Sequence, residues 1–336
     1  EGNSTALTSL TTDAGGTVAI NGGVVNTTGA QSYGEAATLG AATTLTSTGA
    51  GAITFGGTLN GAQTLVVNTS GATTFTGAVG GTTALTSVTT DAGGSVVIRG
   101  GLMKTTAAQT YNEMVNLDAD TVLQGVNVAM MSTVNGAYEL TVNDSGTTIF
   151  GGVVGGVAPL ISLTTDALGE THIKAALVHT TVDAVFNDIV KIFTDVRVTA
   201  AGQLTFAKTI DGDTAGTRSL TLDGGNIAAI NVDGAVGETN ALKTLEVVNS
   251  EFTTFIGPVT TATSVVLSDT QHTIAFNGGL TTPTLTVAAE PFNLTLRANV
   301  AVTNAVTLAN TGTLQLGAVE SDDLHFAGGL VATAPS

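Results

Sequence analysis

The chain has 336 residues, of which 43 are Gly and none is Cys, and its 9 Lys and Arg against 26 Asp and Glu give a formal net charge of −17. A hydrophobic fraction of 43% is too high for a disordered chain, and Gly without a strict period of three excludes collagen. So few cations cannot neutralise nucleic-acid phosphates or bind an anionic membrane surface. No run reaches the ~18 apolar residues of a membrane helix. We therefore expect neither nucleic-acid binding nor membrane insertion.

The same text recurs along the chain. Residues 6–24, ALTSLTTDAGGTVAINGGV, return 78 positions later at 84–102 as ALTSVTTDAGGSVVIRGGL, and a looser copy follows 75 positions further on, with Leu160 in the place of Leu85. On each side of the Asp-Ala-Gly-Gly corner, apolar residues alternate with small polar ones. Alternation with period two predicts β-strands with one buried face, and Asp with Gly predicts the turn between them.

A second motif follows within each copy. AQSYGE at 30–35 returns as AQTYNE at 108–113 and more faintly as VFND at 185–188. This alignment matters for residues 183–196, DAVFNDIVKIFTDV, whose apolar spacing comes closest to that of an amphipathic helix. Because the segment aligns with the earlier Tyr-Asn-Glu strand, we predict strand and turn here instead.

Alternating runs end repeatedly on a large apolar residue before a small-residue turn. These residues are Ile20, Phe55, Phe75, Ile98, Met130, Phe150, Ile173, Phe206, Ile230, Phe255, Phe276, Leu296 and Leu316. Most steps between them are about 20 residues, which is the length of one β-solenoid coil. Three distinctly longer steps predict coils with an extra strand and turn.

These steps predict an all-β fold, a parallel β-helix (β-solenoid) built from coils of about 20 residues with some longer inserted coils. The large apolar residues are expected to stack as a single interior column. We predict one elongated solenoid over residues 1–336, with internal repeats at approximately 6–83, 84–158, 159–240 and 241–336.

The chain lacks the motifs of common enzymes. It has no Gly-x-Ser-x-Gly elbow, no phosphate loop and no dinucleotide fingerprint, and its four histidines lack partners at metal-binding spacing. Polysaccharide-cleaving β-helices need paired carboxylates and aromatic platforms for sugars, but this chain has no Trp. We predict no catalytic and no cofactor-binding residues and interpret the chain as a non-enzyme. A carbohydrate-active β-helix enzyme is the alternative.

Calcium is the only cofactor that the sequence suggests. Calcium-binding β-rolls carry Gly-Gly-x-Gly-x-Asp every nine residues, whereas the order here is reversed at Asp13 and Asp91 and the nine-residue spacing is absent. These aspartates are therefore predicted to be corner residues. The best calcium candidates are Asp211 and Asp213, because two carboxylates two residues apart can share a hard cation. A calcium-dependent adhesive module is thus a further alternative.

The repeat text resembles that of a known class of proteins. Segments 7–23 (LTSLTTDAGGTVAINGG), 108–123 (AQTYNEMVNLDADTVL) and 140–156 (LTVNDSGTTIFGGVVGG) are similar to β-strand repeats of very large bacterial surface and secreted proteins, the filamentous haemagglutinin-like adhesins. The resemblance covers residues 6 to about 259. It implies a β-solenoid, an extracellular or cell-surface location in bacteria and an adhesive or scaffolding role, with host or cell-surface glycans as expected partners. No site residue is implied.

The ends of the repeat region bear on assembly. The repeat begins by Ala6, strand-like text continues to Leu330, and neither end has a cap of the kind that covers open strand edges. We expect each end to join either further repeats of a longer parent chain or another copy, head to tail. The predicted function is an extracellular structural protein that forms a fibre, stalk or surface-layer component.

Overall fold

The computed structural model describes residues 5–333 and contains strands and turns throughout, with no helix in that range. Each strand pairing within it is parallel, as between Leu10–Thr12 and Gln31–Tyr33. The predicted all-β parallel solenoid is thereby confirmed. Over the same range there is no helix of the length and apolarity needed to cross a membrane. The chain divides into two compact units, Glu1–Ile161 and Ser162–Ser336.

The first unit consists of twenty described strands. In chain order they are β1 Leu10–Thr12, β2 Thr17–Ile20, β3 Val24–Thr27, β4 Gln31–Tyr33, β5 Ala36–Leu39, β6 Thr43–Ser47, β7 Ile53–Phe55, β8 Leu59–Asn60, β9 Thr64–Thr69, β10 Ala72–Phe75, β11 Ser87–Thr90, β12 Ser95–Ile98, β13 Leu102–Lys104, β14 Gln109–Tyr111, β15 Met114–Leu117, β16 Thr121–Gly125, β17 Val128–Met130, β18 Val134–Asn135, β19 Glu139–Asp144 and β20 Thr147–Phe150.

The second unit consists of twenty-two described strands. They are β21 Ser162–Thr165, β22 Glu170–Ile173, β23 Leu177–His179, β24 Ala184–Phe186, β25 Ile189–Ile192, β26 Val196–Thr199, β27 Gln203–Phe206, β28 Ile210–Gly212, β29 Ser219–Asp223, β30 Ala229–Val232, β31 Leu242–Asn249, β32 Phe252–Phe255, β33 Val259–Leu267, β34 Thr273–Phe276, β35 Leu280–Thr282, β36 Thr284–Val287, β37 Asn293–Leu296, β38 Val300–Val302, β39 Val306–Leu308, β40 Leu314–Leu316, β41 Leu324–Phe326 and β42 Leu330–Ala332.

Each coil of the first unit has three sides, and every side contributes one strand to its own parallel sheet. The first side runs β1-β4-β7-β10-β12-β15-β18, and the second runs β3-β6-β9-β11-β14-β17-β20. The third joins β2-β5-β8 to β13-β16-β19 through the bridge residue Val79. Leu10 lies opposite Gln31, and Gln31 lies opposite Ile53. Successive coils here therefore take about 21 residues each, close to the predicted length.

The second unit repeats this three-sided plan. One side runs β21-β24-β27-β30-β32-β34-β37-β40. Another runs β23-β26-β29-β31, after which the long strand β33 serves two sides, pairing with β35 through its first residues and with β36 through its last. Residues 183–196 form strands β24 and β25 with turns, as predicted, and not a helix. The interior holds stacked rings, including Phe186 on Phe206 at 5.0 Å and Phe255 on Phe276 at 4.7 Å between centroids.

The prediction of one interior column is wrong. Phe55, Phe75 and Ile98 do lie in register in one sheet, but in the next coil Ile98 continues to Leu117 and not to Met130. The predicted long steps are jumps from one side of a coil to another. All three sides carry the same alternation, so a large apolar residue does not reveal which side it occupies. Each unit therefore has several inward columns around its interior.

The longer coils lie elsewhere than predicted. The coil from Gln203 to its register partner Ala229 is several residues longer than the first coils of the chain. Another long coil joins Val300 to Leu324. The first unit also has a longer coil, since Val79 and its bridge partner Met103 are as far apart in sequence as Val300 and Leu324.

The sequence repeat and the coil have different lengths. Three coils take the chain from Leu10 to Thr73, which lies in the same sheet. The sequence copy of β1 is β11, which comes later in the chain and lies two sides of the coil beyond Thr73. β11 pairs with β9 and β14 and so belongs to a different sheet from β1. Because the repeat is not a whole number of coils, a copied segment does not stack directly on its original.

Candidate functional site: the acidic corners of the repeat

Three copies of one corner each place a carboxylate beside a threonine; Glu113 and Asp188 are buried, and Glu35 is half-buried. The Thr of each Thr-Asp corner ends a strand and pairs with an aromatic residue in the next coil, as Thr12 pairs with Tyr33. An acidic residue follows two positions after that aromatic residue. The register thus brings a threonine hydroxyl and a carboxylate together at the same turn. The three pairs are Thr12 with Glu35, Thr90 with Glu113, and Thr165 with Asp188.

Two of these carboxylates are hydrogen-bonded. Thr12 Oγ1 donates to Glu35 Oε2 at 2.6 Å. In the third copy, Thr165 Oγ1 donates to one oxygen of Asp188 at 2.7 Å, and Thr171 Oγ1 donates to the other at 2.8 Å. Hydrogen bonds to an ionised carboxylate are among the stronger ones in proteins, so these hydroxyls offset part of the cost of burial.

The middle copy differs. Glu113 is only 2% exposed, and neither of its carboxyl oxygens has a hydrogen-bond partner. Thr90 Oγ1, which faces it, is also without a partner. Burial raises the pKa of Glu113 to about 8, and the nearby Asp91 carboxylate adds to the rise, while the facing Thr90 hydroxyl opposes it. Burial also raises the pKa of Asp188, against the opposing effect of its two threonine hydroxyls.

The aspartates of the Thr-Asp corner bind the backbone. Asp13 Oδ1 accepts from the Gly15 N–H at 3.3 Å, and Asp91 Oδ1 accepts from the Thr69 N–H at 3.1 Å. These contacts agree with the predicted corner role, in which a short acidic side chain satisfies turn N–H groups.

The two calcium candidates each accept hydrogen bonds from other groups of the chain. Asp211 Oδ1 accepts from the N–H groups of Thr239 and Asn240, both at 3.0 Å. Asp213 is bound by both Nε and a terminal nitrogen of Arg218, at 2.7 and 3.1 Å, and this guanidinium holds the pKa of Asp213 below its usual range. Residues 5–333 include no group of three or more His, Cys, Asp or Glu arranged to hold a metal. Calcium binding by this pair stays a prediction.

Asp211 belongs to a recurrent side-chain-to-backbone contact that was not predicted from the sequence. Asn60 Oδ1 accepts from the N–H groups of Thr82 and Thr83, and Asn135 Oδ1 accepts from the next copy of that loop. In each copy, therefore, the side chain of an Asn or Asp accepts hydrogen bonds from the backbone of a loop in the following coil. The available signal was the text Gly-Ala-Val-Gly at 77–80, Gly-Val-Val-Gly at 152–155 and Gly-Ala-Val-Gly at 234–237. The last Gly of each has φ of +71°, which favours glycine.

The AQ-x-Y motif forms a buried polar network. Tyr111 Oη donates to Gln109 Oε1 at 2.8 Å, and Gln109 Nε2 donates to the carbonyl oxygens of Met103 and Gln124. The first copy builds the same network from Tyr33 and Gln31. Burial raises the pKa of Tyr111, so this hydroxyl stays protonated and donating. The motif thus has a structural role.

The outermost coils leave strand edges open within residues 5–333. Strands β1 and β2 each pair on one side only, and so do β40, β41 and β42. A cavity of about 340 Å³ next to β1 is lined mostly by apolar side chains, among them Leu10, Val18 and Val24. Phe326 in β41 is partly exposed, although Val302, its register partner one coil earlier, is buried.

Comparisons with protein-family models, with curated proteins and with solved structures found no match for this chain. The β-solenoid fold therefore rests on the strand pairing described above, and the likeness to haemagglutinin-type repeats remains an expectation drawn from the sequence.

Proposed function

We propose that this chain is a structural β-solenoid of the bacterial cell surface or extracellular space, a fibre, stalk or surface-layer component that associates head to tail and serves adhesion. The observation that carries the proposal is the pair of open coil ends, each with parallel strand edges and apolar inward side chains that a further coil would cover. The proposal treats the chain as a non-enzyme without a cofactor.

Parallel strands favour head-to-tail contact. Within each sheet of a parallel solenoid every strand points the same way, so the last coil of one copy can pair with the first coil of the next while the polarity of each sheet continues. Burying Phe326, Leu330 and the apolar lining near Leu10 would add a hydrophobic contribution. The net charge of −17 opposes contact between copies, and salt screens that repulsion.

Light scattering after size exclusion tests the proposal at rising protein and salt concentrations. We expect the mean mass to rise with both, and electron microscopy to show filaments of graded length. A single monomeric mass at every protein concentration, even in high salt, would contradict the proposal.

A matched pair of variants locates the contact. Phe326→Lys places an ammonium group on the inward face of β41, where it reaches solvent in the isolated chain but would be buried by a further coil. His325→Lys adds the same group to the outward face of the same strand, where the side chain is exposed. We expect the first variant to abolish association and the second to retain it. Equal association of both would show that the contact lies elsewhere.

A further inference from the structure

The three acidic corners differ at one inward position, which supplies a second hydroxyl donor to the carboxylate only in the third copy. Thr171 on β22 donates to Asp188, but the residue 75 positions earlier is Val96, on β12, and the residue 78 positions before that is Val18. Val96 is fully buried and has no polar group to offer. The second hydroxyl that satisfies the third copy is therefore missing from the second.

The first copy tolerates the same loss because its carboxylate is less buried. Glu35 is half-buried and accepts from Thr12 at 2.6 Å. Glu113 lies deeper, with both oxygens enclosed and without a partner. An ionised carboxylate in such a place loses its hydration, and the opposing effect of the facing Thr90 hydroxyl does not offset this loss, so the neutral acid is favoured.

No positive charge offsets this burial. The strand below contributes Thr90 and Asp91, the corner itself contributes Asn112, and the register places Ser132 of the following coil opposite Glu113. Asp91 is the only charged group among them, and it repels a second negative charge. The Asn112 amide is already engaged, donating to the Thr90 carbonyl oxygen at 2.7 Å.

We propose that Glu113 is a proton-binding site, neutral in the folded chain at neutral pH, and that loss of its proton loosens the corner between β14 and β15. As a neutral acid, Glu113 has an O–H donor for Thr90 Oγ1, and this hydrogen bond gives a partner to Thr90 Oγ1 and to one of the two carboxyl oxygens. Once ionised, the carboxylate must draw in water or swing outward, and either movement disturbs the backbone of this coil.

The pH dependence follows from the direction of the shift. The pKa of Glu113 is raised in the folded chain to about 8, so between its ordinary value and that value only the folded state holds this proton. The contribution of Glu113 to stability is complete at acid pH, falls as the pH rises through this window and is lost above it. The corner between β14 and β15 is thus expected to loosen as the pH rises into the alkaline range.

Carboxyl ¹³C NMR of the intact chain, labelled at its ten glutamates, tests the proposal. We expect one signal to titrate near pH 8, well apart from the others, and to be missing in Glu113→Gln. The proposal is overturned if the Glu113 signal titrates with the exposed glutamates. It is also overturned if that signal shifts at pH 7 when calcium chloride is added but not when sodium chloride is added to the same ionic strength, because the site would then hold calcium.

Three variants test the stated cause in the same titration. Val96→Thr restores the hydroxyl of the third copy, and Asp91→Asn removes the neighbouring charge, so each should lower the Glu113 midpoint by about one pH unit. Glu35→Gln, at the matching corner, should leave it unchanged. An unchanged midpoint in both of the first two variants would overturn the proposal.

Discussion

Phe55 and Phe75 lie in register on adjacent coils, with ring centroids 5.4 Å apart and ring planes only 2° from parallel. They occupy the same inward position of β7 and β10, so the spacing of the coils sets the spacing of the rings. Both side chains are buried. Together with Tyr33, which stacks on Phe55 at 5.2 Å, they form a ladder of buried rings in the core of the first unit.

Phe75→Ala is expected to lower the free energy of unfolding of the first unit by about 3–5 kcal/mol, since it removes a buried ring and leaves a cavity between two coils. Denaturant unfolding followed by circular dichroism measures the loss. Phe252→Ala removes the same group from a ring that is 42% exposed, and it should cost less than about 1 kcal/mol. Similar losses in both variants would contradict the ladder of buried rings.

Thr171→Val is expected to destabilise the second unit by about 1–3 kcal/mol at neutral pH, because it deprives the Asp188 carboxylate of a hydrogen bond. It should also raise the pKa of Asp188 further. The loss should shrink at acid pH, where Asp188 is protonated. Unfolding curves across a pH series check this, with Thr164→Val, on the outward face of β21, as control. A loss that does not depend on pH would point to packing and not to the carboxylate.

The Gln109–Tyr111 pair is expected to be coupled by about 0.5–3 kcal/mol. Tyr111→Phe leaves Gln109 Oε1 buried without its donor, and Gln109→Ala leaves the tyrosine hydroxyl without its acceptor. The double variant has the residues that the third copy already carries, Ala184 and Phe186. Its loss of stability should therefore be smaller than the sum of the two single losses. Strict additivity would show that the two groups act independently.

Asn135→Ala is expected to free the loop that begins at Gly155. The Asn135 side chain accepts from the N–H groups of Val157 and Ala158 at 3.0 and 3.3 Å. Its removal should lower the local opening free energy by about 1–2 kcal/mol, a roughly five- to thirty-fold faster amide exchange. Hydrogen exchange of these two amides is the measurement, with Asn116→Ala on the neighbouring strand as control. Unchanged exchange would mean that the loop is held by other contacts.

The alternation around Val96 and Ile98, and the Asp and Gly corners between such runs, were enough to predict parallel strands wound into coils, because period two and turn chemistry act over a few residues. The sequence repeat also indicated that Glu35 and Glu113 hold equivalent places. Which side of a coil each strand occupies could not be predicted, since Ile98 and Met130 end strands of the same local pattern on different sides.

The environment of Glu113 depended on tertiary structure for the same reason. Its surroundings come from Thr90 and Asp91, a full coil away along the chain, and the absence of a donor depends on which inward residue the winding places beside it. Local alternation by itself determined the strands, the corners and the all-β class. Only the stacking of coils decided which side chains meet, because coil length and repeat length differ and contacts between coils follow the winding.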